Sequence, residues 1–380
     1  LALLLSCGEP SGDLYAGALT RELRTLDRDV TVCGLGGPQF AAAGGVLIDD
    51  YRGLTVTGLT EAIVKLPKSQ RAMSRLVAAA RDHRPDALVA LDFPDFNLRL
   101  AARLKPLGIP IIYYISPQIW AWRSSRLETI RRLADQMLVI FPFEESIYAK
   151  AGVPVEFVGH PLIDLARPNA PRERFLRGLG FAADAPTVAI LPGSRPNEVD
   201  RILGDLVDAS RQIETSVPPA QFVVARAPSL DDSLFKVIRD RGPARVAVVE
   251  GDTDTVLAAA DVALTASGTA TVQAALHDTP MVVVYRVSPM TYRLGRRLVK
   301  LETFAMVNLI AGERIVPELI QDAFTAEAVA REAVALLIDR NRAAQMRAGL
   351  ARVRERLGGP GASRRAAEAI LRVATSVATA

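Results

Sequence analysis

Short aliphatic runs alternate with longer amphipathic stretches along almost all of this chain, and that alternation limits the fold more than any other feature. The runs in the first half are LALLLSC (1–7), VTVCGLG (30–36), DALVALDF (86–93), PIIYYIS (110–116), QMLVIF (136–141) and VEFVG (155–159). Helical patterns such as DLYAGALTRELRTL and SSRLETIRRLAD lie between them. Strands that alternate with helices form parallel sheets covered by helices. The pattern pauses at HPLIDLARPNAPRERF, which holds three prolines and no strand signal and reads as a linker. A second series follows: TVAILPG (187–193), QFVVARA (221–227), VAVVEG (246–251), DVALTAS (261–267) and PMVVVYR (280–286). Beyond about residue 325 only helical patterns remain, in an Arg-rich tail broken by GGPGAS.

The expected fold class is therefore α/β, with two Rossmann-like doubly wound domains facing a cleft, residues 1–166 and 167–340. The helices of 341–380 are expected to pack back on the first domain or on a partner subunit as a homodimer contact. In such sheets ligands bind outside the carboxyl ends of the strands, so the turns after strands are where chemistry should be sought.

Composition narrows the function classes. The chain of 380 residues is 49% hydrophobic and 23% charged, with a net charge of +4 and no long basic run. That balance argues against nucleic acid and suits anionic phosphates or an anionic membrane face. Two cysteines, Cys7 and Cys33, give neither a metal spacing nor a disulfide framework, so a reducing cytoplasm is the expected setting. LALLLS is too short to span a bilayer and reads as a buried strand. The histidines are scattered, and neither a P-loop nor GxSxG occurs.

Each turn has two readings. GEPSGD, after the first strand, supplies Glu9 and Ser11 ahead of a helix, without the GxGxxG of a nicotinamide site. In DFPDFN, Asp95 reads as a first-turn acid favouring the helix dipole. Asp92 ends a central strand, where a general base belongs. YYISPQIWAWR brings Trp120 and Trp122 beside Arg123, as core or as rim of a cleft. LPGSRPNE joins Gly193, Ser194 and Arg195 to a helix start, an arrangement common at phosphates. TASGTA, with Ser267, Gly268 and Thr269, is either an ordinary strand-to-helix joint or an anion site at a helix N-terminus. Asp252 and Asp254 in GDTDT have a DxD spacing but precede a helix, so capping is the better reading. No metal ligand set and no cofactor are expected.

Taken in order, GEPSGD, DFPDFN, SPQIWAWR, FPFE, VGHPL, LPGSR, NE, ASGTAT, YRVSP and VNLIAG resemble the bacterial lipid-A-disaccharide synthase family, over about residues 1–355. The resemblance implies a glycosyltransferase-B architecture and an inverting transfer. UDP-2,3-diacylglucosamine is joined to 2,3-diacylglucosamine 1-phosphate (lipid X), giving a β-1,6-linked disaccharide 1-phosphate and UDP at the inner face of the inner membrane. It implies Glu9, Asp92, Arg195 and Asn308 as positions important for activity. One departure stands out: the family commonly carries Glu after the SGTA turn, placed for ribose hydroxyls, where this chain has Gln273.

GLTEAIVKLPKSQ (58–70) sets Ile63, Val64 and Leu66 beside Lys65 and Lys68. It reads either as a core helix with a basic edge or as an acyl-receiving, membrane-touching surface whose lysines meet anionic headgroups. Two other functions fit the architecture: a UDP-N-acetylglucosamine epimerase-like enzyme, which would turn over donor without lipid X, and a non-catalytic nucleotide-sugar binding protein, which would form no product.

Overall fold

The computed structural model describes residues 1–54, 59–117, 125–287 and 303–378. The chain divides into two compact units, Leu1–Pro161 with Leu357–Ala380, and Leu162–Arg356.

The first unit holds a seven-stranded sheet: β1 (Ala2–Ser6), β2 (Thr31–Gly36), β3 (Val46–Asp50), β4 (Ala87–Leu91), β5 (Ile111–Tyr114), β6 (Gln136–Val139) and β7 (Val155–Phe157). Their order is β3-β2-β1-β4-β5-β6-β7, and every pairing is parallel. β4 sits at the centre and is buried along its whole length, as a continuous apolar run covered on both faces should be. On one side it meets a core of Leu4, Leu88, Leu100, Tyr113, Met137 and Tyr148.

The second unit holds a six-stranded parallel sheet: β8 (Thr187–Leu191), β9 (Gln221–Arg226), β10 (Val246–Glu250), β11 (Val262–Ala266), β12 (Met281–Tyr285) and β13 (Glu318–Ile320). Their order is β10-β9-β8-β11-β12-β13. β8 and β11 are entirely buried.

Two strands escaped the sequence reading, β3 and β13. Both lie at sheet edges. Val46 is 63% exposed and β13 is only three residues long, so neither shows the dense apolar run of a central strand. The proline-rich segment read as a linker carries two short helices, Leu162–Leu165 and Arg172–Gly178. Arg172 anchors the second, donating to the carbonyls of Ala259 and Ala185 and pairing with Asp261 at 2.9 Å.

The segment 341–380 divides between the units. Helix Arg340–Arg356 packs in the second unit on helices Thr269–Leu276 and Met306–Ala311. Helix Ala362–Ala378 packs in the first unit on helix Pro10–Leu26. It is tied there by Arg365, whose Nε donates to the Val158 carbonyl at 2.9 Å, and by the Arg372–Glu156 ion pair. The His160 amide donates to the Leu357 carbonyl at 2.9 Å. Gly159 lies at φ 85°, and a Cβ there would sit 2.7 Å from the Arg365 guanidinium, so the VGHPL turn requires glycine.

Candidate active site

Each sheet reverses its winding once. In the first unit the reversal lies between β1 and β4, where Ser6 pairs with Ala90. In the second it lies between β8 and β11, where Leu191 pairs with Thr265. Ligands of open α/β sheets bind at such reversals, beyond the strands' carboxyl ends. GEPSGD and DFPDFN follow β1 and β4, while LPGSR and TASGTA follow β8 and β11. Four of the six turns singled out in the sequence thus stand at a switch point; YYISPQIWAWR follows β5 and GDTDT follows the edge strand β10.

In the first unit Glu9 takes the N-cap position of helix Pro10–Leu26 in extended conformation, with Ser11 in the first turn. Its glycines serve close packing: a Cβ on Gly8 would strike the Phe93 ring at 2.2 Å, and one on Gly12 would meet the Cys7 side chain at 3.3 Å. Burial, followed by the Asp13 carboxylate, pushes the Cys7 thiol far up and leaves it inert. Asp13, the last residue of the motif, is 2% exposed and accepts from the amides of Gly37, Gln39 and Phe40 at 2.8–3.0 Å. It holds the turn after β2.

Asp92 follows β4 directly. Asp92 and Phe93 both have positive φ, 47° and 48°. Two successive non-glycine residues in that region cost on the order of 1–3 kcal/mol each, so the surroundings must impose the turn. Phe93 stacks on Phe96 at 5.4 Å, and the amides of Phe96 and Asn97 donate to the Phe93 carbonyl. Asp95 is in the first turn of helix Pro94–Leu104, as read from the sequence, and pairs with Arg126.

Trp120 and Arg123 lie outside the described residues, as do the side chains of Ile63, Val64 and Leu66; the backbone of the last three belongs to helix Leu59–His83. At the start of SPQIWAWR, the Ser116 hydroxyl shares a 2.6 Å hydrogen bond with the Tyr148 hydroxyl. FPFE opens a helix with half of a capping arrangement: the Glu144 carboxylate, 1% exposed, accepts from the Phe141 amide, and the Glu144 amide donates to the Phe141 main-chain carbonyl.

In the second unit Gly193 has φ 119°, and a Cβ there would collide with the Glu198 side chain at 2.7 Å. Ser194 and Arg195 are exposed at the head of helix Pro196–Ser216, and Arg195 pairs with Glu198 at 3.3 Å. Gly268 has φ 156°, and among the described residues nothing stands within 4 Å of where its Cβ would be. It is the N-cap of helix Thr269–Leu276, with Gly268 and Thr269 exposed. Among the described residues, a helix end of partial positive charge therefore has nothing packed on the Cβ side of a residue without a side chain. That combination admits an anion close to the backbone.

Other expected site residues are committed within the fold. The Ser267 hydroxyl donates to the Phe304 carbonyl at 3.2 Å. Asn308 is 1% exposed: Nδ2 donates to the Val316 carbonyl and to Glu318, while Oδ1 accepts from the amides of Ile315 and Val316. Glu318 also accepts from the amides of Phe304 and Ala305. Ser267, Phe304, Glu318 and Asn308 thus form one chain of contacts beneath the TASGTA turn. Gln273 donates to Asp254 at 3.2 Å, and His277 Nε2 lies 2.9 Å from the same carboxylate oxygen. Asp252 stands at the head of helix Thr253–Ala258 but makes no side-chain cap; its carboxylate accepts from Asn169 at 2.9 Å, so the capping expected of it is not made. Among the described residues no three His, Cys, Asp or Glu side chains cluster as metal ligands.

Two residues important to this geometry were not picked out in the sequence. Asn97 is fully buried and receives the Ser6 hydroxyl on Oδ1 at 2.6 Å. Arg286, in YRVSP, pairs with Asp205 at 2.5 Å, donates to the Phe324 carbonyl and lies over the Phe324 ring. Asn97 ends a motif that was read for its carboxylates alone.

Comparisons with known proteins agree with this layout. In structure the chain is similar to UDP-GlcNAc 2-epimerase from Neisseria meningitidis bound to UDP-GlcNAc, with a TM-score of 0.72, 13% identity, and 98% and 100% of the two chains covered. It is also similar to the glycotransferase of kitacinnamycin, with a TM-score of 0.65, 17% identity and 98% of each chain covered. At those identities the likeness is one of fold, the glycosyltransferase-B arrangement of two parallel sheets. In sequence the chain is 42% identical to lipid-A-disaccharide synthase of Myxococcus xanthus (strain DK1622) over 369 residues, 97% of this chain and 96% of that protein. It is 43% identical to that of Koribacter versatilis (strain Ellin345), with 100% and 99% covered. The family profile described as lipid-A-disaccharide synthetase matches residues 3–373. On fold, on switch-point motifs and on identity along its whole length, this chain belongs to the lipid-A-disaccharide synthase family.

Proposed function

We propose that the two switch-point sites divide one sugar transfer between them. The chain is a glycosyltransferase that joins UDP-2,3-diacylglucosamine to lipid X, giving the β-1,6-linked disaccharide 1-phosphate and UDP. The 6-hydroxyl of the acceptor attacks the anomeric carbon of the donor, the glycosidic bond forms with inversion, and the bond to the diphosphate breaks. Asp92, at the end of the central strand, takes the hydroxyl proton. Glu9, at the same switch point, is the second carboxylate, with Ser11, Trp120 and Arg123 on the acceptor side. Arg195, Ser194 and the Gly268–Thr269 helix end receive the charge that builds on the departing diphosphate, by fixed charge and dipole. Gly193 keeps the first of these turns tight. Ser267 and Asn308 act from beneath, by fixing the backbone of the second turn. Gln273, held by Asp254, is assigned to the ribose with its amide oxygen.

The observation that carries this reading is Gly268: positive φ, no described residue within 4 Å of a Cβ there, and a helix N-terminus at the switch point of the second sheet. The test is incubation with UDP-2,3-diacylglucosamine and lipid X, with mass detection of a disaccharide phosphate. Donor consumed without lipid X would instead favour an epimerase-like enzyme, and UDP bound with no product a binding protein.

Arg195→Ala is expected to weaken UDP by about 1.5–3 kcal/mol, the range for a charge-assisted hydrogen bond, and to slow turnover as well. Calorimetry with UDP checks this. Unchanged affinity would make LPGSR a structural turn and leave the donor phosphates to the Gly268 turn.

Among the described residues no helix is long and apolar enough to cross a membrane. We assign the chain to the cytoplasmic face of the inner membrane, bound peripherally through anionic headgroups and the 58–70 segment. Replacing Ile63, Val64 and Leu66 together by Ser should weaken liposome association and leave UDP affinity intact. Flotation with anionic vesicles reads the first and calorimetry the second; an unfolded variant would make the segment core.

A further inference from the structure

The turn that carries Asp92 is held through its own carbonyl oxygen. Asn97 Nδ2 donates to that oxygen at 2.8 Å, and the Tyr113 hydroxyl donates to it at 2.7 Å. Together they occupy both of its lone pairs. The Asp92 amide is held too, donating to the Tyr114 carbonyl at 3.1 Å. Neither donor is free to wander. Asn97 is fully buried, and its amide is itself clamped: Oδ1 accepts the Ser6 hydroxyl, while Nδ2 also lies within reach of the Ser6 and Leu91 carbonyls at 3.1 and 3.2 Å. Tyr113 is 1% exposed on β5, where it pairs with Ala90 of β4. One amide thus spans the ends of β1 and β4, and one phenol reaches across from the neighbouring strand.

These contacts serve an unusual backbone. A residue's φ fixes the direction of its Cα–Cβ bond, and at Asp92 that angle lies in the left-handed region, with Phe93 following in the same region. Without the two donors the carbonyl is free to rotate and the chain to relax toward an ordinary conformation, which re-aims the carboxylate. We propose that Asn97 and Tyr113 are positioning residues for glycosyl transfer: by gripping the Asp92 carbonyl they hold its carboxylate where the acceptor hydroxyl must be met. This rests on the assignment of Asp92 as the base.

The test is a double-mutant cycle in the full-length protein, with Tyr113→Phe and Asn97→Ala each made alone and in combination with Asp92→Asn. Tyr113→Phe keeps the ring and its packing and removes only the hydroxyl. Alone it should lower kcat about 10- to 100-fold, as a small misplacement of a reacting group does, with KM for both substrates within about twofold. Combined with Asp92→Asn it should cost nothing further, because there is no longer a base to aim. Asn97→Ala should behave the same way with a larger loss; if it does not fold, Tyr113→Phe decides. An equal loss in both backgrounds, or no loss from Tyr113→Phe in the native background, would overturn the positioning role while the base assignment stands. Wild-type turnover in Asp92→Asn alone would remove the base assignment itself, and the proposal with it.

Discussion

Asp92→Asn is expected to bind UDP as the native protein does and to lose turnover by roughly 10²–10⁴-fold, the contribution of a positioned general base. The substitution conserves shape and most hydrogen bonding, and it leaves untouched the main-chain contacts of Asp92 with Asn97, Tyr113 and Tyr114. The loss therefore reports the missing proton acceptor rather than a collapsed loop. Calorimetry with UDP and a disaccharide assay, run side by side, separate the two steps. Arg195→Ala should fail in the opposite sense, through donor affinity, because it belongs to the other sheet's switch point. If Asp92→Asn retains near-full turnover, Glu9 is the next candidate, since it follows the strand beside β4.

The second large effect is on stability and depends on pH. His160 is 2% exposed and sits against the rings of Tyr15, at 6.1 Å, and Phe141, at 5.4 Å. Burial lowers its pKa from 6.5 to about 3. In the native state the imidazole is thus neutral down to about pH 3, whereas in the unfolded chain it takes up a proton below pH 6.5. The unfolded state binds more protons throughout that window, so stability is fully present above pH 6.5 and falls as pH drops toward 3. The slope approaches about 1.4 kcal/mol per pH unit, or about 2 kcal/mol lost between pH 6.5 and pH 5. Urea unfolding of the native protein and of His160→Gln at pH 7 and pH 5 measures it. The variant starts less stable at pH 7 but should lose about 2 kcal/mol less over the interval; identical losses would show that other groups carry the acid sensitivity.

Most of the central strands could be read from the sequence because their signal is local. β4, β8 and β11 are buried along their whole length, and an aliphatic run announces such a strand without reference to the rest of the chain. The turns could be read for the same reason: small residues and glycine between a strand and a helix. What local pattern does not contain is the strand order. That β1 adjoins β4, and β8 adjoins β11, follows from crossovers over tens of residues, and it is this order that makes four separate turns into two sites. Buried polar contacts are equally non-local. Asn97 meets Ser6 across 91 positions and Asp13 meets Phe40 across 27, and nothing near either residue in the sequence indicates its partner. Asn308 is a further case: the family motif marks its position as important for activity, and only the fold shows that its amide bonds the Ile315 and Val316 backbone and the Glu318 carboxylate. In FPFE the Glu144 carboxylate is taken up by the Phe141 amide, and in VGHPL the glycine lies against the Arg365 guanidinium.

The division of the chain has a consequence for synthesis on the ribosome. The second unit is one uninterrupted stretch, and all of it can fold as soon as residue 356 has emerged. The first unit begins earlier and finishes later, because helix Ala362–Ala378 is made only after the whole second unit. Until then helix Pro10–Leu26, whose leading end holds Glu9 and Ser11, lacks the helix that packs against it. The nascent chain must keep an unfinished sheet domain in waiting while another is built. A stop codon after residue 356 would therefore spare the second unit and strike the first, although most of the first was made before the second began.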